Sequence, residues 1–170
     1  MDAAQRRWLI VNAGIVTVVF NVVLNWLPAA FAARDLDHVD LWTVPFVGTG
    51  VYTDTIGTLF VLPFITTLAV TSAVWRDRRA GRLAPGTLPL ALAPLAIVPS
   101  VRLARAAWFG ATAVAALAVP AAVLLAILAA DGLGHDAFIA YKTILGVVLG
   151  AVVTPLIAMA AMAEPLPQQG

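Results

Sequence analysis

From Ala106 to Ala130 the chain carries no charged side chain. A bilayer core about 30 Å thick takes roughly 20 apolar residues of α-helix to cross, and a run of this length has few other structural uses. Three further runs follow the same pattern. Trp8–Ala30 has no charge, Val51–Trp75 has only Asp54, and Phe138–Met162 has only Lys142, in its first turn. The four runs predict an all-α membrane protein. Its transmembrane helices lie at about 8–30, 51–75, 106–130 and 138–162, in an up-down bundle forming a single domain over 1–170.

Composition agrees: 62% of residues are hydrophobic and only 11% are charged, too few charges to cover a soluble domain. Arg6-Arg7-Trp8 opens like a signal peptide. The apolar run behind it is far longer than the ~7–15 residues of a signal's apolar region, so it reads as a retained helix or signal anchor.

The basic residues fix the expected orientation. Short cytoplasmic loops carry an excess of Lys and Arg. With N and C termini cytoplasmic, Arg6, Arg7, Arg76, Arg78, Arg79, Arg82, Arg102 and Arg105 all fall inside, leaving only Arg34 and Lys142 outside. Trp8, Trp75 and Trp108 then mark inner ends, and Trp26, Tyr52 and Tyr141 outer ends, as an interfacial aromatic belt requires. The arginine-rich, lysine-poor composition points to a bacterial chain, hence to a multi-pass protein of the bacterial plasma (inner) membrane.

Residues 76–105 form the expected cytoplasmic loop. Its middle, 83–101, is apolar, but Pro85, Pro89, Pro94 and Pro99 each remove a backbone donor and expose carbonyls that lipid cannot satisfy. The segment is therefore expected at the membrane interface, surface-lying or re-entrant, rather than as a fifth span. On the outer side, Trp42 and Phe46 are expected on the membrane surface, with Gly48 and Gly50 turning the chain inward.

Asp54 has two readings. As a helix N-cap it would accept from the Gly57 N–H at the headgroup boundary. One turn inside the lipid it would need a partner, because an unpaired carboxylate there is costly. Lys142 enters from the same side at similar depth, and Asn25 reaches the same level on the first helix, with Asn21 one turn deeper. Asp54, Lys142, Asn25 and Asn21 are thus a candidate intramembrane polar cluster. The alternatives are that Lys142 snorkels to the headgroups and that the asparagines, in line with Thr17, are helix–helix glue. Lys142, Gly146, Gly150, Thr154 and Ala158 recur every four residues, and the Gly146–Gly150 pair marks this as a helix-packing face. An offset of 88 aligns Asp54-Thr55-Ile56 with Lys142-Thr143-Ile144 and Thr66 with Thr154, from either duplication or chance.

His38 and His135 each sit among acids in an outer loop. They are the candidates for a metal site if those loops meet; neither spacing is a ligand motif, and no metal or other cofactor is expected. No phosphate loop, catalytic triad or zinc-protease motif is present. Cysteine is absent, which removes thiolate chemistry. Nucleic acid is not an expected partner; the lipid bilayer is, together with either further copies or another membrane protein.

The fragments Thr-Leu-Phe-Val-Leu-Pro-Phe-Ile-Thr-Thr-Leu (58–68), Pro-Ser-Val-Arg-Leu-Ala-Arg (99–105) and Val-Val-Thr-Pro-Leu-Ile-Ala (152–158) give the chain a pattern that resembles small four-helix bacterial inner-membrane proteins of uncharacterised activity. The resemblance implies the fold and carries no functional residues. The expected function is that of a non-enzymatic structural or accessory membrane component. The alternative is a small oligomeric transporter or channel with its polar cluster near the outer face.

Overall fold

The computed structural model describes residues 1–44, 48–88 and 90–165, with the side chains at 13, 15–18, 91, 93, 94 and 96 outside the description. The protein is mostly helical, at 75%. Three helices are long and apolar enough to cross a membrane: α3 (Val51–Arg79), α4 (Arg102–Leu128) and α5 (His135–Ala163). Before them, α1 (Ala3–Trp8) passes through a π-helical stretch, Leu9–Val16, into α2 (Thr17–Ala32). The π stretch leaves α2 alone too short to cross, at about 24 Å of helix. Most helix ends lie past the apolar limits read from sequence, with α3 continuing through its arginines to Arg79, while α4 stops at Leu128, short of the expected Ala130. Hydropathy marks the length that suits lipid, whereas a helix stops where its backbone is capped.

The caps show how this happens. Asp2 and Gln5 form a capping box at the start of α1: Gln5 N donates to Asp2 Oδ1 (2.8 Å) and Asp2 N to Gln5 Oε1 (2.9 Å). Gly50 is the N-cap of α3, in extended conformation, with no side-chain cap. Its place is taken by the preceding strand-like segment: Val51 N donates to Asp40 O (2.9 Å) and Tyr52 N to Leu41 O (3.0 Å). The first two amides of α3 are thereby satisfied by backbone carbonyls. A minimal sheet beside them pairs β1 (His38–Val39) antiparallel with β2 (Leu133–Gly134), His38 opposite Gly134. Gly132, at φ +93°, makes the turn into β2; a side chain there would strike Val39 O. This strand end of the molecule is closed by a core that includes Ala33, Val39, Val51 and Phe138.

At the other end, the arginine end, the 83–101 connector is no spanning helix. A 3₁₀-helix, Leu90–Ile97, is its only regular structure among the described residues. Gln5 Nε2 donates to the carbonyls of Ala84 and Pro85 (3.2 Å each), Arg105 Nε to Pro99 O (3.0 Å), and Gly86 N to Met162 O (2.9 Å). Carbonyls of a proline-rich segment are thus met by donors from two helices, and its Gly86 N–H is met by a carbonyl of α5, which is how irregular backbone is tolerated beside a membrane. Trp8 Nε1 donates to Asp77 Oδ2 (2.8 Å), fixing α1 to the end of α3.

The order of the helices in space differs from their order in the chain. α2 packs on α5, α5 on α3, and α3 on α4, while α2 scarcely meets α3. Asn25 lies over Gly146 and Asn21 over Gly150, so α2 and α5 run antiparallel. Lys142 meets Asp54 near the heads of α5 and α3, and Arg78 meets Ala161 near their tails, so these two run parallel. Gly110 lets α4 close on Phe60 of α3. The result is a zigzag row, α2–α5–α3–α4, in which directions alternate along the chain. Two grooves lie between chain neighbours that pack little on one another: one of ≈350 Å³ between α2 and α3, and an apolar one of ≈580 Å³ between α4 and α5.

Candidate functional site

The α2–α3 groove holds the site. Since α3 begins at Val51, Asp54 lies within its first turn, and its own N–H donates to Gly50 O (2.9 Å). The N-cap reading of Asp54 is therefore corrected: carbonyls of residues 40 and 41 do the capping, which frees the carboxylate. Its Oδ2 forms an ion pair with Lys142 Nζ. The ammonium also donates to Thr58 Oγ1 and approaches Asp54 O (3.4 Å). Lys142 is 4% exposed and the Asp54 side chain 33%, so Lys142 points inward and does not snorkel.

Three oxygens of α3 thus surround an ammonium that has three donors and no acceptor. Parallel packing of α3 and α5 makes this possible, because Asp54 and Thr58 are one turn apart on one face. Thr58 was not singled out by the sequence; its i+4 relation to Asp54 was the available signal.

The two asparagines lie deeper and outside the ion pair. Asn25 lines the same groove, but its amide donates to Asn21 O (2.8 Å) on its own helix. The side chains of Asn25 and Asn21 occupy the space that a Cβ at Gly146 and Gly150 would need. The glycines are seats for the asparagines, in the manner of small residues at close helix contacts. Both amide atoms of Asn21, and the hydroxyls of Thr66 and Thr154, are buried without a hydrogen-bond partner among the described residues. Thr17, the third member of that α2 face, has its side chain outside the described residues, as does Phe46.

The two histidines are each engaged by a backbone carbonyl. β1–β2 pairing brings the two loops together, yet His38 Nε2 is engaged with Asp131 O (2.5 Å) and His135 Nδ1 with Ala33 O (3.0 Å). Among the described residues no three of His, Cys, Asp and Glu converge on one point. Backbone carbonyls, abundant where two loops end, took the imidazoles first.

A second buried ion pair lies at the arginine end. Arg105, with no exposed side-chain area, pairs through Nη2 with Glu164 Oε1. Arg78 Nη1 donates to the carbonyls of Glu164 and of Ala161 (3.2 Å). Sequence reading assigned both arginines to the loop and its positive charge. Glu164, just past α5, is one of three acids that the sequence puts at that end, with Asp2 and Asp77. No known family, curated protein or solved structure matches this chain.

Proposed function

We propose that this chain is a non-enzymatic structural or accessory component of a bacterial plasma membrane. In this reading it is a single four-span domain with both termini cytoplasmic. The observation that carries it is Lys142, whose donors all face oxygens of α3. A lysine so engaged offers no free lone pair for chemistry and no loose charge to hand to a substrate. Asn25 and Asn21 over their glycines fit the same role, since polar side chains buried between membrane helices act mainly as glue.

In this reading the fourth span is the run Trp8–Ala30, supported by the packing of the π-helical stretch and α2 on α5. Clustering of Arg76, Arg78, Arg79, Arg82, Arg102 and Arg105 at one end supports placing that end in the cytoplasm. Because the chain has no cysteine, single labels are unambiguous. On intact cells, an impermeant thiol reagent should label Asp131→Cys and spare Leu90→Cys. Leu90 is 91% exposed, so labelling there from outside would overturn the topology.

A second reading, a small oligomeric transporter or channel, is favoured by one observation: the unpartnered Asn21, Thr66 and Thr154 groups, which invite water. Liposomes separate the two. The structural reading expects proton, K⁺ and Cl⁻ leak equal to that of protein-free vesicles. A flux that Asp54→Asn removes, from a variant that still folds, would establish transport instead.

A further inference from the structure

We propose that the α2–α3 groove is a binding site for one phospholipid with a primary-ammonium headgroup, its head at Asp54 and one acyl chain lying along α3. The inference rests on the membrane reading above and goes beyond it by naming a ligand.

The groove has the shape of such a molecule. Asp54 and Gly57 line two cavities at once: the ≈350 Å³ groove, and a second of ≈640 Å³ at the strand end walled by Trp42, Thr43, Thr49 and Thr53. From Asp54 to Ile65 the groove follows about 16 Å of helix, roughly half of a ~30 Å hydrocarbon core. That is the depth of one leaflet. Its α3 wall is Gly57, Val61 and Ile65, exposed at every fourth residue, with Leu24 and Pro28 opposite on α2. A Cβ built on Gly57 would meet nothing within 4 Å, so the groove is open along this wall.

The head end selects for a donor-bearing cation. Asp54 is the more accessible member of its ion pair, at 33% exposed, while Lys142 lines the groove with only 4% of its side chain exposed. In the outer cavity the threonine hydroxyl protons are already committed: Thr43 Oγ1 donates to Gly48 O (3.1 Å), Thr53 Oγ1 to Thr43 O (3.0 Å), and Thr49 Oγ1 to Ala32 O (3.5 Å). Their oxygens remain as acceptors. A carboxylate edge among acceptors favours an ammonium carrying N–H groups, through charge-assisted hydrogen bonds. Choline has no such hydrogens and is held by aromatic cages instead. Trp42 and Tyr52 pack on each other, centroids 4.4 Å apart, forming a wall and not a cage. A phosphoglycerol head brings negative charge without an ammonium.

The test uses the full chain purified in maltoside detergent, with phosphatidylethanolamine, phosphatidylcholine and phosphatidylglycerol of identical acyl chains added singly. Bound lipid is counted by native mass spectrometry. One phosphatidylethanolamine should be retained at least tenfold over either of the others. Gly57→Leu, which fills the groove at a site without neighbours, should abolish that preference and leave the lipid-free melting temperature unchanged or raised. Asp54→Asn should equalise the three lipids. Equal retention of all three by the wild-type chain, or a preference that survives Gly57→Leu, would overturn the site while leaving the membrane reading intact. A chain that stays in solution without detergent and retains no lipid would overturn both.

Discussion

Glu164→Ala should destabilise the protein by about 3–5 kcal/mol, the range for removing one partner of a buried ion pair. Arg105 has no exposed side-chain area and, among the described residues, keeps the 3.0 Å bond from Nε to Pro99 O and the Trp75 ring 5.8 Å from its Cζ once Glu164 is gone. Its Nη1 already lacks a partner among the described residues. The penalty of a buried guanidinium left without its carboxylate falls on the fold. Arg105→Ala should cost less, because the carboxylate it leaves is 20% exposed. Glu164→Gln, which keeps an acceptor, should fall between wild type and Glu164→Ala. Thermal or denaturant unfolding in detergent measures all three. A loss below about 1 kcal/mol for Glu164→Ala, the size of a surface pair, would show that water reaches Arg105.

The Asp54–Lys142 pair should respond with the same asymmetry. Asp54→Ala strands an ammonium that is 4% exposed, while Lys142→Met strands a carboxylate that is 33% exposed. The first should cost about 3–5 kcal/mol and the second clearly less. Combining them as Asp54→Leu with Lys142→Met removes both charges and should be more stable than Asp54→Ala alone, since a buried pair replaced by apolar groups is often neutral or better. If the double variant is instead the least stable of the set, the pair contributes net attraction beyond cancelling its own desolvation. Unfolding midpoints of the four proteins decide this directly.

These two pairs differ in how far the sequence reveals them. Lys142 and Asp54 can be set at one depth by counting residues from the ends of two apolar runs, because the bilayer gives both runs a common ruler. Arg105 and Glu164 have no such ruler: both lie in segments that hydropathy marks as outside the lipid. Their meeting depends on how the connector folds back, and that is set by hydrogen bonds such as Gly86 N to Met162 O. The capping of α3 was hidden for a related reason. A side-chain cap is local and can be read at Asp54, whereas carbonyls of Asp40 and Leu41 arrive through tertiary structure. Apolar length likewise says that a helix suits lipid but not which helix stands beside which. Glycines carry part of that information, as Gly146 and Gly150 do for α2 and Gly110 for α3, yet a small residue names a close contact without naming the partner.

The zigzag order of helices has a consequence for where this protein draws its cohesion. In the apolar window of α4 only 6% of residues are buried within the protein, against 44% for α3 and 50% for α5. Val119, Val123, Ile127 and Leu128 all point away from it. In water such a flank would drive association, but lipid tails are as apolar as leucine and remove that drive. Acyl chains therefore complete the van der Waals shell of α4, and the bilayer serves as the missing half of its packing. Whatever neighbour replaces those chains must win by shape or by a polar contact, since α4 has already been made comfortable by the solvent it sits in.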